Sequence, residues 1–250
     1  EKLRSEKIEL ELPSGTEIIK RLDNVLHIIY LLFNEGYYSK TQNQILRKEL
    51  CIEALRLALM LSSYEKTNTP KTNALIALIC FHSSRFEARL TNEGDFILYE
   101  QQDEERWNQE LIHQGLYFLK NAALGDELTS YHLEAKIAQC HCIKEDSPEK
   151  WTEILQWYDR LLVVNYSPAA ALNRIFALYK VKGAKAALAE VKTLQLEDNH
   201  FYFVLLGELY QDLDKNKAIA NFNKAKNLAK ITLEKEIIQQ KIDAIKSAMT

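Results

Sequence analysis

The chain has 250 residues, 47% of them hydrophobic and 27% charged, with a formal net charge of −3. That composition suits a soluble chain with a sizeable core, and the slightly acidic balance excludes a general pull toward nucleic acid or anionic membrane. Only 7 Gly and 4 Pro are present, too few for the turns of a large sheet, so an all-α fold is expected.

Glu1 to Glu17 is charged, alternates weakly at Ile8, Leu10 and Leu12, and meets Pro13-Ser14-Gly15-Thr16. It reads as a linker over residues 1–15, with an N-cap at Ser14 or Thr16. The lead-in lacks Met and reads as part of a longer protein. Leu22 to Phe33 is apolar nearly all round a helix, apart from Asp23, Asn24 and His27. Such a helix is expected to be a buried hub, with Leu26, Ile29, Tyr30 and Phe33 in the core. It is expected to stop at Asn34-Glu35-Gly36, with Gly36 as a left-handed cap beside Tyr37. Arg47 to Leu61 repeats apolar residues at helical spacing. Thr67-Asn68-Thr69-Pro70 opens a helix predicted to run to about Leu90. Asn92 to Asp95 reads as a turn and Phe96 to Tyr99 as a short extended piece. Helices are predicted from about Glu104 to Leu124 and from Ser130 to Lys144. Ser147-Pro148 and Ser167-Pro168 each open a helix, serine capping and proline just inside.

Beyond Ser167 the chain repeats. Leu178-Tyr179 with Ala187, Leu188 and Val191 recurs 31 residues later as Leu209-Tyr210 with Ala218, Ile219 and Phe222. A period in the thirties with two helices per unit signals a helical solenoid. Ala218, Phe222 and Ala225 fit the second helix of a tetratricopeptide repeat; Leu205, Gly207 and Tyr210 fit the first. The proline expected near position 230 is absent. The last helix, Leu233 to Ala248, would cap the stack. The expected architecture is all-α, a helical-hairpin array ending in a tetratricopeptide-like α-solenoid. Its parts would be the linker, a helical domain over 16–146 and repeats over 147–250.

Few constellations carry chemistry. Cys140-His141-Cys142 places neighbours on different helix faces, and no second Cys/His pair has ligand spacing, so no metal is expected. Cys51, Cys80, Cys140 and Cys142 lie in helical patterns, which favours a reduced, cytoplasmic compartment over a disulfide framework. No signal peptide or membrane span is visible. Nucleophile-elbow and phosphate-loop motifs are absent; no enzyme activity and no cofactor are expected. Arg85 and Arg89 share a face with His82 and precede an acidic block that includes Glu93, Asp95, Glu100, Asp103, Glu104 and Glu105. They are expected to pair with carboxylates there, or with Glu35 or Glu53, as a clamp between helices; the sharper alternative is an arginine pocket for a partner's carboxylates. Glu53 and Arg56 form an i, i+3 pair. Lys215 to Thr250 holds 8 Lys against 3 acidic residues, read as the solvated face of a terminal helix.

Together these stretches carry a resemblance. Leu31-Leu-Phe-Asn34-Glu35-Gly36-Tyr37 resembles the LLFNEGY motif of the C-terminal extension of one group of extracytoplasmic-function (ECF) sigma-70-family RNA polymerase sigma factors. Leu50-Cys-Ile-Glu53-Ala-Leu-Arg56-Leu is similar to its LCxEAxRL motif. Arg85 with Arg89 resembles its Arg-x3-Arg element, and Gln102-Asp103 with Trp107 its QDxxxW element. Ala135 to His141 resembles its A-x-IAAxH helix. Trp151, Tyr158, Ser167-Pro168 and Leu172-Asn173-Arg174 match its W…Y…SP…LNR run. Glu104 departs from the arginine usual in QDR.

The resemblance implies a regulatory, protein-interaction domain that acts on sigma domains and the RNA polymerase core. A regulatory protein partner is a further expectation; direct DNA binding by this stretch and membrane association are not. A small-ligand receptor or enzyme using Asn34, Glu35, Arg85 and Asp103 is the alternative.

Overall fold

The computed structural model describes residues 14–37, 47–91 and 97–249. The expectations for the linker before Ser14, the turn at 92–95 and Phe96 lie outside the described residues. Ten α-helices are present among the described residues: α1 (Gly15–Tyr37), α2 (Lys48–Ser62), α3 (Pro70–Ser83), α4 (Gln109–Ala122), α5 (Ser130–Cys140), α6 (Pro148–Val164), α7 (Pro168–Val191), α8 (His200–Tyr210), α9 (Lys215–Leu228) and α10 (Thr232–Ser247). The described residues contain no strand. Three short 3-10 turns, Phe86–Ala88, Tyr99–Gln101 and Glu104–Arg106, fall between α3 and α4. They take stretches expected to be helix before Leu90, extended at Tyr99, and helix from Glu104. Helix α5 also stops short of Lys144, at Cys140.

The helix starts follow the cap chemistry of the sequence. Ser14 Oγ accepts from the Glu17 amide at 3.4 Å, and Glu17 accepts from the Ser14 amide at 2.9 Å, a reciprocal capping box. Ser147 and Ser167 accept from the amides of Lys150 and Ala170 at 3.2 and 3.1 Å, with Pro148 and Pro168 just inside. Thr69, Asn108 and Asp214 cap α3, α4 and α9 in the same manner.

Each helix packs on its neighbours along the chain. Helix α1 lies on α2, α2 on α3, α3 on both α4 and α5, and the order then continues to α9 on α10. The hub is α3 rather than α1. Eleven of the fourteen residues of α3 are buried, on every side. Helix α1 buries one stripe, Leu22, Leu26, Ile29, Phe33 and Gly36, and Tyr30 is half-buried. Ile28 and Leu31 on its outer side are 64% and 52% exposed. Among the described residues no helix covers that side of α1.

Gly36 is not a left-handed cap. It is helical, and α1 continues through it to Tyr37. A Cβ there would lie 2.7 Å from Cys51 Sγ and 2.9 Å from the Arg47 carbonyl oxygen. The missing side chain lets the start of α2 close on the end of α1. Gly183 does use a positive φ, of 79°, with ψ 173°. It breaks α7 into two arms. Arg174 on the first arm is ion-paired with Glu190 on the second. Sixteen residues of straight helix would hold them about 24 Å apart, so the chain must fold back between them. Leu172 and Ile175 of one arm then share a core with Ala187 and Val191 of the other and with Tyr202, Leu205, Leu206 and Leu209 of α8.

A Cβ at position 183 would meet nothing within 4 Å, so the cost of adding one is backbone strain alone. Gly183→Ala should destabilise the protein by about 1–3 kcal/mol, read as a lower urea midpoint. An unchanged midpoint would show that the turn is not obligatory.

Candidate functional site

Most of the residues singled out in the sequence gather in two clusters, and Arg174, the Glu53–Arg56 pair and Glu35 lie outside them. The first cluster forms where α3 ends inside the protein. Arg85 and Arg89 are 7% and 6% exposed, Gln102 is 3% and Trp107 4%. Ser84 ties the two flanking segments together, its carbonyl accepting from the Asn108 amide at 2.8 Å. The guanidinium of Arg89 lies 4.0 Å from the Tyr37 ring centroid, and that of Arg85 5.2 Å from the Tyr99 centroid. Tyr99 stacks on Trp107 at 6.2 Å and meets His141 edge-on at 5.4 Å. Its hydroxyl donates to the carbonyls of His141 and Ile143 at 3.2 and 3.1 Å. Lys150, 7% exposed, donates to the Tyr99 hydroxyl at 3.1 Å and to the Ile143 carbonyl at 2.6 Å. Tyr37 packs on His82 at 4.7 Å.

The expected clamp of arginines on carboxylates is not formed by Arg85. Its polar contact is a long one, 3.5 Å to the Tyr37 hydroxyl, and no ion pair holds it among the described residues. Asp103 is exposed and instead accepts from the Glu105 amide at 3.0 Å. The physical reason lies in the short turns: they leave Glu100, Asp103, Glu104 and Glu105 exposed to water while Arg85 runs inward under the Tyr99 ring. The cluster also holds its histidines neutral. Burial, then Arg85 and Arg89, push His82 well below the usual imidazole range. Burial, Arg85 and Lys150 push His141 down to about 3. Burial lowers Lys150 as well, although Asp146 opposes this.

The second cluster joins α1, α5, α6 and α7. Tyr30 donates to Glu134 at 2.9 Å, and the side chain of Asn34 hydrogen-bonds to Tyr30. Asn173 hydrogen-bonds to Tyr158, whose hydroxyl also feels Glu134. Asn34 and Asn173, 139 residues apart, thus brace two tyrosines, one bonded to Glu134 and the other within its electrostatic reach. Burial raises both tyrosines and pushes Glu134 up to about 7, with Tyr30 opposing the latter.

The remaining residues lie apart. Arg174 bridges Asp159 of α6 at 2.6 Å and Glu190 of the far arm of α7, fastening three helical segments. Glu53 and Arg56 form an exposed pair at 2.7 Å on α2. Glu35 is half-buried on α1. Of the four residues of the alternative reading, Arg85 belongs to the first cluster, Asn34 to the second, and Asp103 is exposed. A cleft of about 210 Å³ lies elsewhere, lined by residues of α4, α5 and α6 that include Leu119, Leu133, Lys136, Trp157 and Arg160. Sequence reasoning missed Tyr99, Lys150, Glu134 and Tyr30 as site residues. Glu134 had a signal: it shares a helix face with Tyr131 and Ala138, i−3 and i+4, an acid on an inward stripe. Lys150 had none, since a lysine in a first helical turn is normally solvated. Among the described residues no three His, Cys, Asp or Glu side chains are placed to hold a metal ion.

Residues 21–123 match a family of unknown function, DUF6596. The chain is also similar to an uncharacterized protein of Rhizobium meliloti (strain 1021), 32% identical over 241 residues. That alignment covers 94% of the chain and 56% of the relative, so the chain spans little more than half of that protein's length. No solved structure matches the chain.

Glu134 gives a pH prediction. The folded carboxyl keeps its proton up to about 7, while the unfolded one releases it near 4.5. Stability is therefore lost as pH rises through that window, and the full penalty stands above it. It amounts to at most about 3 kcal/mol, less for residual exposure. Glu134→Gln should gain stability over the parent by about 1–3 kcal/mol between pH 5 and pH 8, read from urea midpoints. The depressed histidines destabilise as pH falls below their ordinary range, but equally in both proteins. A parent-to-variant difference constant with pH would mean that the carboxylate is hydrated and ionised.

Proposed function

We propose that this chain is the C-terminal regulatory domain of an ECF RNA polymerase sigma factor. In this reading it modulates transcription initiation by contact with sigma domains, the polymerase core or a regulatory protein partner, in the cytoplasm. It does not act as an enzyme and does not bind DNA itself. The observation that carries the reading is where the resembling residues lie. Gly36, Tyr37, Arg85, Trp107, Asn173 and Arg174 make packing or polar contacts inside the fold, and Asn34 braces Tyr30, which supports reading the motif residues as a shared structural set. A relative nearly twice as long leaves room for attached domains.

The tetratricopeptide-like reading of residues 147–250 is part of the proposal. Ala187, Ala218, Phe222 and Ala225 are fully buried, and a Cβ on Gly207 would come within 2.6 Å of the Phe222 ring. Close approach of a small residue on one helix to an aromatic on the next is what such a pair requires. Consecutive α8 and α9 then present an outer surface for partners. No described helix is long and apolar enough to cross a membrane. In the basic C-terminal stretch, Lys217 pairs with Asp214 and Lys241 with Glu208, which leaves less charge for phosphates.

Transcription with purified polymerase core tests this, comparing the whole sigma factor with a form lacking residues 14–250. Output should differ between them, in either direction. Equal output from both, with and without the inducing stimulus, would remove the regulatory reading. A promoter fragment shifted by residues 14–250 alone at moderate salt would count against a protein-binding role.

A further inference from the structure

Buried cations are ordinarily paired with carboxylates, because an uncompensated charge out of water is strongly unfavourable. Arg85 and Lys150 depart from this. Both are 7% exposed and both stand 5.2 Å from the same ring centroid, that of Tyr99. Lys150 is bonded to neutral oxygens, and Arg85 Nε is buried with no acceptor among the described residues. The neighbouring carboxylate, Asp146, is exposed and occupied by Trp151 Nε1 and Lys180 Nζ. The C-terminal end of α3 contributes about half a negative charge, short of the two positive ones. Trp107 Nε1, stacked on Tyr99, is a second buried donor with no acceptor, and the histidines alongside are neutral.

We propose that Arg85, Lys150 and Trp107 form a binding site for a compact oxyanion, the carboxylate or phosphate group of a free small molecule. An oxyanion offers charge to both cations and lone pairs to Arg85 Nε–H and Trp107 Nε1–H. Tyr99, half-buried on a three-residue turn, has both cations 5.2 Å from its ring centroid and is the partly exposed member of the cluster. The site does not depend on the regulatory reading.

The test is thermal unfolding of the full chain at constant ionic strength, with chloride exchanged for inorganic phosphate, sulfate or acetate. At least one oxyanion should raise Tm saturably. Lys150→Met and Arg85→Gln should each weaken that response about tenfold, the scale of one charge-assisted hydrogen bond. Arg56→Gln, in an exposed pair far along the sequence, should leave it intact. A response to phosphate alone assigns a phosphoryl ligand; a response to acetate assigns a carboxylate. Should Arg85→Gln fail to fold, Lys150→Met and a fluorescence titration decide. In Trp157→Phe the two remaining indoles, Trp107 and Trp151, border the cluster, and their emission should change saturably with the same anion. Chloride-like Tm values for all three anions with flat emission would overturn the site. So would Lys150→Met responding as the parent does.

Discussion

The burial of α3 on every side is the constraint on which the N-terminal half depends. A helix apolar on all faces has to be enclosed, and here α2, α4 and α5 do so. Enclosure fixes where the helix can end. Its last turn, with His82, Ser83 and Ser84, is delivered to the interior, where each backbone group needs a partner. Ser84 Oγ and Cys142 Sγ both donate to the Phe81 carbonyl, at 2.8 and 3.8 Å. The 3-10 turns that follow are short because they stay close to this buried end. Aromatic rings lie against both arginines there, Tyr37 on Arg89 and Tyr99 on Arg85, since these rings come from elements pressed against the end of α3.

The second dependence runs across the row of helices. Helix α1 is tied to α3 by Asp23, which pairs with Lys71 at 2.5 Å, and to α5 by Tyr30, whose hydroxyl reaches Glu134. Tyr158 approaches the same acid from α6, braced by Asn173 of α7. Polar groups at this depth are directional, so they set the rotation of four helices about their axes in a way that leucine contacts do not. Arg174, next to Asn173, fastens the outer edge of the same joint through Asp159 and Glu190.

The all-helical class and most helix starts were legible in the sequence, because caps and prolines act locally. Ser14, Thr69, Ser147 and Ser167 each cap the helix that they announce. The ends were less legible. Ser84 to Leu90 has no breaker residue, and tertiary packing alone turns it from helix to 3-10. Helix α1 looked like a hub because periodicity reports apolar faces and not what covers them; Ile28 and Leu31 are apolar and exposed. Gly36 looked like a stop because a glycine after a helical run usually ends it, whereas here it admits Cys51. The arginines were legible as a pair of interest. Their partners were not, since Tyr99 and Lys150 come from separate segments and ring faces leave no charge pattern to read.

Packing of neighbour on neighbour has a kinetic side. Most helix pairs are closed by short connections, so the entropy lost in bringing them together is small. Contacts of low sequence separation favour fast folding from several starting points. They also make opening progressive. Helix α10 rests chiefly on α9, with Lys241 reaching Glu208 of α8, while α3 is walled in on every side. Amide protons of α10 would exchange with solvent through local fraying, and those of α3 only when the N-terminal half opens as a unit. A gradient of protection would run along the chain, from its most enclosed helix to its last.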